Sequence, residues 1–173
     1  VSASSASQYH AQVFKPKTRV NPDRAKAVEQ FRPALAKRGR AAAGKATFEQ
    51  RCAACHQLGG VGRAIGPDLK STRANGAEKM LVSLIDPNRE VAPQFLLFTL
   101  RLAKGDGALV GMIANENASV VELIQPDGSE RSVRRAEVRS IESTGLSLMP
   151  AGLEAGLSTG QMADLLAWLL EAG

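Results

Sequence analysis

Two cysteines separated by two residues and followed at once by a histidine, Cys52-Ala53-Ala54-Cys55-His56, constrain this chain more than any other stretch. Thiols at this spacing reach one edge of a porphyrin and form thioethers with its vinyl groups. The histidine that follows directly is then placed to take an axial position on the iron, so the run is the attachment signature of a c-type haem. Cys52 and Cys55 are the only cysteines, and His10 and His56 the only histidines. A structural zinc site needs about four ligands, and these four residues fit finger spacings badly. A thioredoxin-like dithiol wants a strand before its motif and a helix after it, whereas residues 41–50 read as helix. The implied cofactor is one covalently bound haem c, attached through Cys52 and Cys55, with His56 as an iron ligand.

A chain of 173 residues buries one good core, or two small ones, without disulfides. No apolar run is long enough to cross a bilayer, because residues 165–170 are short and broken by Trp168. The chain opens on Val1 without an export signal, which reads as a processed or excised product. Bacteria join haem to such motifs outside the cytoplasm, so a periplasmic or otherwise exported location is expected. The net charge of +5, reduced by two haem propionates, suits docking on an acidic redox partner. Nucleic acid fits poorly, since aromatic residues make up 4% and the arginines are scattered. Paired carboxylates, a nucleophile beside a base and a phosphate-binding loop are all missing from the pattern. The expectation is an electron carrier rather than an enzyme.

Residues 1–20 have no apolar period and read as a surface arm or linker, in which His10 is an exposed histidine sooner than a second ligand. Asn21-Pro22-Asp23 starts a helix with a capping side chain, a proline in the first turn and an acid at the positive dipole end. Pro33 should end or kink it near Phe31. A second helix over 40–52 places Gly44, Phe48 and Cys52 on one face, and the glycine lets another helix approach closely. That partner is expected to be the last helix, opened by a Ser158/Gln161 capping box and continued by Met162, Leu165, Leu166 and Leu169. Phe48 and Trp168 would fill the crossing.

The glycine-rich stretch after His56 reads as a loop round one haem edge, closed by Gly66-Pro67, which by itself is equally an ordinary turn. Residues 76–86 read as a short core-facing helix ending at Pro87. From Gln94 the period changes to two, predicting strands at 96–102, 108–114, 120–125 and 130–134, with a fifth at 138–141. Leu96, Phe98, Leu100, Val121 and Leu123 are available to their core. Arg131, Arg134, Arg135 and Arg139 form a basic patch on or beside them, either a solvated face or a binding surface. Met149 is the candidate second axial ligand: it lies in a loop, precedes a stiffening proline and leads into the last helix. Met80, Met112 and Met162 read as packing residues.

Gly44 and Phe48 before the haem motif, Gly66-Pro67-Asp68-Leu69 after it, a late methionine and an aromatic terminal helix together resemble class I cytochromes c. That resemblance implies that the Pro67 carbonyl accepts the other ring N–H of His56, and that Leu69 packs on the ring. With Asp86-Pro87-Asn88, the inserted strands and Ser147-Leu148-Met149-Pro150-Ala151-Gly152-Leu153 added, residues 21–173 resemble one bacterial family more closely. It is the haem-binding domain at the C-terminal end of large exported proteins described as membrane-bound dehydrogenases. Arg40 departs from the acidic helix cap that such proteins often carry.

The fold class this implies is a mainly α cytochrome c-like haem domain with an inserted small antiparallel β module, α+β overall. Residues 21–90 would form its haem-attachment half, 91–142 the insertion, and 143–173 the axial-methionine loop and closing helix. The expected function is monohaem electron transfer with a periplasmic dehydrogenase or another cytochrome as partner. Two alternatives stay open: a haem sensor with a displaceable sixth ligand, and a partner-binding module in which the haem is structural.

Overall fold

Asn21 accepts from the Asp23 N–H at 2.9 Å and starts helix α1, Pro22–Phe31. The computed structural model describes residues 21–105 and 107–172; the expected arm at 1–20, with His10, lies outside them. Pro33 ends α1 by denying the next turn its N–H, and the chain tightens into a 3-10 turn over Arg32–Ala36. Helix α2 spans Ala41–Arg51. A two-residue hairpin follows, β1 (Gln57–Leu58) with β2 (Val61–Gly62), turning through Gly59 and Gly60 with positive φ at both, as a type I′ turn requires. Next come a short helix α3, Leu69–Thr72, and α4, Gly76–Ile85. The last helix, α5, spans Thr159–Glu171 and carries the expected Ser158/Gln161 capping box.

The described residues fall into two units: 21–89 with 150–172, and Glu90–Met149. In the first, α5 crosses α2 over Gly44, where a Cβ would lie 1.9 Å from the Asp164 carbonyl oxygen. Only a glycine permits that approach. Phe48 is fully buried there, with Leu81, Ile85, Met162 and Leu165, and its ring lies 6.4 Å from that of Trp168, tilted by 50°. Each such large apolar side chain contributes roughly 1.5–3 kcal/mol.

Arg40, the cap position of α2, supplies no capping side chain. Asp164 of α5 takes over: its Oδ1 accepts from the Arg40 N–H at 2.7 Å, and its Oδ2 lies 3.2 Å from the Arg40 guanidinium. The missing acidic cap is thus provided by the crossing helix. The Arg40 N–H, helped by the guanidinium and opposed by burial, holds the Asp164 carboxyl below the ordinary aspartate value. A group depressed in the folded state stabilises the fold above its unfolded value and loses that contribution as pH falls through its folded value. Because the guanidinium is 80% exposed, its share is small. Asp164→Asn is expected to cost roughly 1 kcal/mol at neutral pH, and the difference between the two proteins should shrink as pH falls through the lowered folded-state value of Asp164. Urea unfolding of both proteins across that range checks it.

In the second unit five strands, β3 (Leu96–Leu102), β4 (Ala108–Glu116), β5 (Val120–Ile124), β6 (Glu130–Arg134) and β7 (Val138–Ser147), form one antiparallel sheet in the order β6-β5-β4-β3-β7. Leu96, Phe98, Leu100, Val121, Leu123, Val133 and Val138 make its core; the first five are the residues expected there, and Val133 and Val138 join them. The fold is therefore α+β, with the sheet strands continuous in sequence between α4 and the final loop. β7 is six residues longer than expected, so residues 143–147 lie in the sheet rather than in the loop assigned to 143 onward, and the 91–142 boundary is too short. Alternation fades after Ile141 because this part is held by backbone pairing rather than by a buried face. A register shift between Leu96 and Phe98 carries Leu96 across to Ser147, and the Thr144 hydroxyl donates to the Leu97 carbonyl at 2.9 Å. The basic patch is partly neutralised within the sheet unit. Arg134 pairs with Glu137, and Arg135 lies 3.2 Å from the buried Glu116 carboxylate.

Candidate haem-attachment site

Helix α2 delivers Cys52 to its C-cap, where the Cys52 N–H donates to the Phe48 carbonyl at 2.8 Å. The chain then makes one more turn: the Cys55 and His56 N–H groups both donate to the Cys52 carbonyl, at 3.1 and 2.8 Å. This turn brings the two half-buried, unbridged thiols and the buried imidazole into one short segment. The following loop folds back on it through three backbone bonds, from Arg63 to the Ala53 carbonyl and from Ile65 and Gly66 to the Cys55 carbonyl, at 2.7–3.0 Å.

That return places Gly66 against the imidazole, where a Cβ would meet His56 Cε1 at 2.5 Å. It also places the Pro67 carbonyl 3.2 Å from His56 Nδ1. With Nδ1–H donating to this oxygen, the tautomer leaves Nε2 unprotonated and available to a metal. Burial pushes the His56 pKa below the ordinary histidine value, and the Pro67 bond works against it. Leu69, the first residue of α3, is half-buried, and Asp68 caps that helix by accepting from the Lys70 N–H at 2.9 Å.

Burial raises the Cys52 thiol to about 11, against a smaller opposing effect of Arg51. A redox dithiol needs the reverse, a thiol acidified toward neutrality. Among the described residues, no three His, Cys, Asp or Glu side chains gather as a metal-ion site. A covalent haem fits: two apolar thiols on one turn, one oriented imidazole, and a glycine face that any Cβ would obstruct.

Residues 39–96 match the family model of cytochrome C oxidase, cbb3-type, subunit III. The chain contains a c-type cytochrome haem domain. The match covers α2, the attachment turn, the return loop and α4, and ends at the first residue of β3. No curated protein matches the chain. A cytochrome c domain implies covalent haem c, electron transfer and a redox partner protein. Among the described residues no helix is long and apolar enough to cross a membrane.

Met149 lies outside the matched segment of this cytochrome domain, two residues beyond β7, at the covalent junction between the two units. It is half-buried, and its N–H donates to the Ser147 hydroxyl at 3.1 Å. Met80, Met112 and Met162 are all buried, as packing residues are. Three further residues went unread in the sequence. Arg51 Nη1 donates to the carbonyls of Leu153 and Ala155 at 2.7 and 2.8 Å, and Arg24 pairs with Glu154 at 2.6 Å. Their one sequence signal is an acid, Glu154, set in a glycine-rich, otherwise uncharged stretch.

Proposed function

We propose that this chain is a monohaem electron carrier in which Cys52 and Cys55 hold the haem, His56 is the proximal ligand and Met149 the sixth. Pro67 orients His56, and Leu69 packs on the ring. The haem supplies the one-electron couple, and the chain excludes water, holds the ligands and sets the potential. The observation that supports this best is the imidazole held at Nδ1 by the Pro67 carbonyl, directly after two cysteines on one turn. A ligand fixed in tautomer and orientation changes little between oxidation states, and that keeps the cost of electron exchange low. Met149 is the half-buried methionine of the four, beside a proline and four residues before a fastened loop. Thioether ligation closes the iron to exogenous ligands and raises its potential relative to two histidines.

The partner in this reading is an attached or neighbouring dehydrogenase of the exported bacterial type, and the site of action is the periplasm. Both rest on the resemblance of residues 21–173 and on the haem chemistry.

The expected result is a protein band that keeps its haem colour through denaturing electrophoresis and acid-acetone extraction, with a mass of chain plus one haem. Oxidised wild type should show the weak red charge-transfer band of an iron–thioether bond. Met149→Ala should lose that band, lower the potential and admit carbon monoxide or cyanide. A colourless band overturns the cytochrome reading. Ready carbon monoxide binding by wild type would instead favour a sensor.

A further inference from the structure

We infer that Arg51, with the Arg24–Glu154 pair, positions the sixth-ligand loop by clamping residues 153–155 onto the haem unit. This rests on the reading of Met149 as the sixth ligand and adds what would hold it there. The loop makes two tight turns of its own, with Ala155 donating to the Gly152 carbonyl and Leu157 to that of Glu154, both at 3.0 Å. Neither turn ties it to anything else. The ties are the single Arg51 nitrogen reaching the Leu153 and Ala155 carbonyls, and the Arg24 guanidinium meeting the residue between them, Glu154.

Three consecutive residues are therefore gripped from two helices, α2 and α1. The grip is also costly to release. The Glu154 side chain is 8% exposed, and its second oxygen is buried without a hydrogen-bond partner, so removing Arg24 strands a buried charge. Apolar residues would have packed this loop as firmly, so a buried acid aimed at one arginine specifies where the loop lies rather than merely that it folds.

Position matters because methionine binds ferric iron weakly. A weak ligand on a loose arm is displaced easily; the same ligand on a short arm has a high effective concentration at the metal. Gripping residue 153 leaves three residues, 150–152, between the clamp and Met149. Pro150 removes freedom from one of them. Arg51 is also the residue directly before Cys52, so the thioether anchor and the loop clamp share the end of one helix. Arginine stays charged at any working pH and offers several donors from one rigid plane, which lets one nitrogen serve two carbonyls.

The test is imidazole binding to the oxidised holoprotein, titrated well below the melting temperature of each variant, with the red charge-transfer band recorded alongside. Losing two charge-assisted bonds in Arg51→Met should raise imidazole affinity about 10- to 100-fold and weaken the band. Arg51→Lys keeps the charge and should recover part of the loss. If Arg51→Met fails to mature, Glu154→Gln and Arg24→Gln, far from the cysteines in sequence, carry the same expectation. A merely structural role would lower the melting temperature and leave imidazole affinity at the wild-type value, overturning the clamp. Met149→Ala separates the two layers. If it raises imidazole affinity while the clamp variants do not, the ligand assignment stands and the clamp is wrong. If it changes nothing, both are wrong.

Discussion

Gly44→Leu is expected to unfold the haem unit at temperatures where the parent is fully folded. A Cβ at position 44 would lie 1.9 Å from the Asp164 carbonyl oxygen and 2.5 Å from its carbon. Both are backbone atoms in the middle of a helix, so no side chain can rotate away to make room, and α2 and α5 must separate. Separation uncovers Phe48 and Met162, both fully buried, and breaks the bond from the Arg40 N–H to Asp164. Overpacking costs about 1–3 kcal/mol by itself, and losing two large buried contacts on the same interface raises the total to roughly 4–6 kcal/mol. That equals much of the stability of a typical small domain. Even Gly44→Ala should destabilise, although alanine in an exposed helix gains about 1 kcal/mol over glycine. Gly160→Ala is the contrast: at the start of α5 a Cβ meets nothing closer than Ser158 Oγ at 3.8 Å, and that variant should be as stable as the parent. Thermal and urea unfolding of the three variants would decide it. A Gly44→Leu protein with the parental midpoint would mean that the helices do not cross here.

The same crossing shows which parts of this fold were legible in sequence. Gly44, Phe48 and the leucines of α5 announce a helix pair because a small residue and a 3.6-residue period are local signals. The cysteines and His56 sit within five consecutive positions, so their chemistry is local too. The strands β3 and β5 alternate because one face is buried. What stayed hidden joins residues far apart in the chain or depends on backbone alone. The Asp164 bond to Arg40 spans 124 positions, and Arg51 reaches a carbonyl 102 residues away. No spacing rule relates such residues, and a backbone carbonyl leaves no mark in the sequence. The second half of β7 was missed for a related reason, since it is held by its ladder with β3 and carries no apolar alternation. The close approach of Pro67 to His56 was foreseen only through likeness to class I cytochromes c, because Gly-Pro by itself specifies no more than a turn.

At the site itself the largest effect is expected from Gly66→Ala, which should displace the His56 imidazole. The backbone at Gly66 does not have positive φ, so alanine meets no conformational penalty there and the whole effect is steric. Its Cβ would lie 2.5 Å from His56 Cε1, 2.8 Å from Nδ1 and 3.0 Å from Nε2, overlapping the ring along one edge. The ring has little room to move. Its backbone is tied to the Cys52 carbonyl at 2.8 Å, and Gly66 is tied to the Cys55 carbonyl at 2.7 Å, so turn and loop cannot part without breaking the return. The imidazole must therefore rotate, and rotation breaks the 3.2 Å contact between Nδ1 and the Pro67 carbonyl. A histidine without that partner is neither held in tautomer nor in direction, and loss of such a partner typically costs a metal site 10- to 100-fold in affinity. Gly66→Ala should thus give poor haem maturation, or a holoprotein whose oxidised spectrum shows a weakened axial histidine, while Gly60→Ala keeps the wild-type spectrum. Gly60 is the control because a Cβ there meets nothing within 4 Å, and its positive φ confines the damage to local backbone strain of about 1–2 kcal/mol. If Gly66→Ala matures normally with an unchanged spectrum and potential, the imidazole is not held in the orientation described, and the assignment of Pro67 as its orienting partner falls with it.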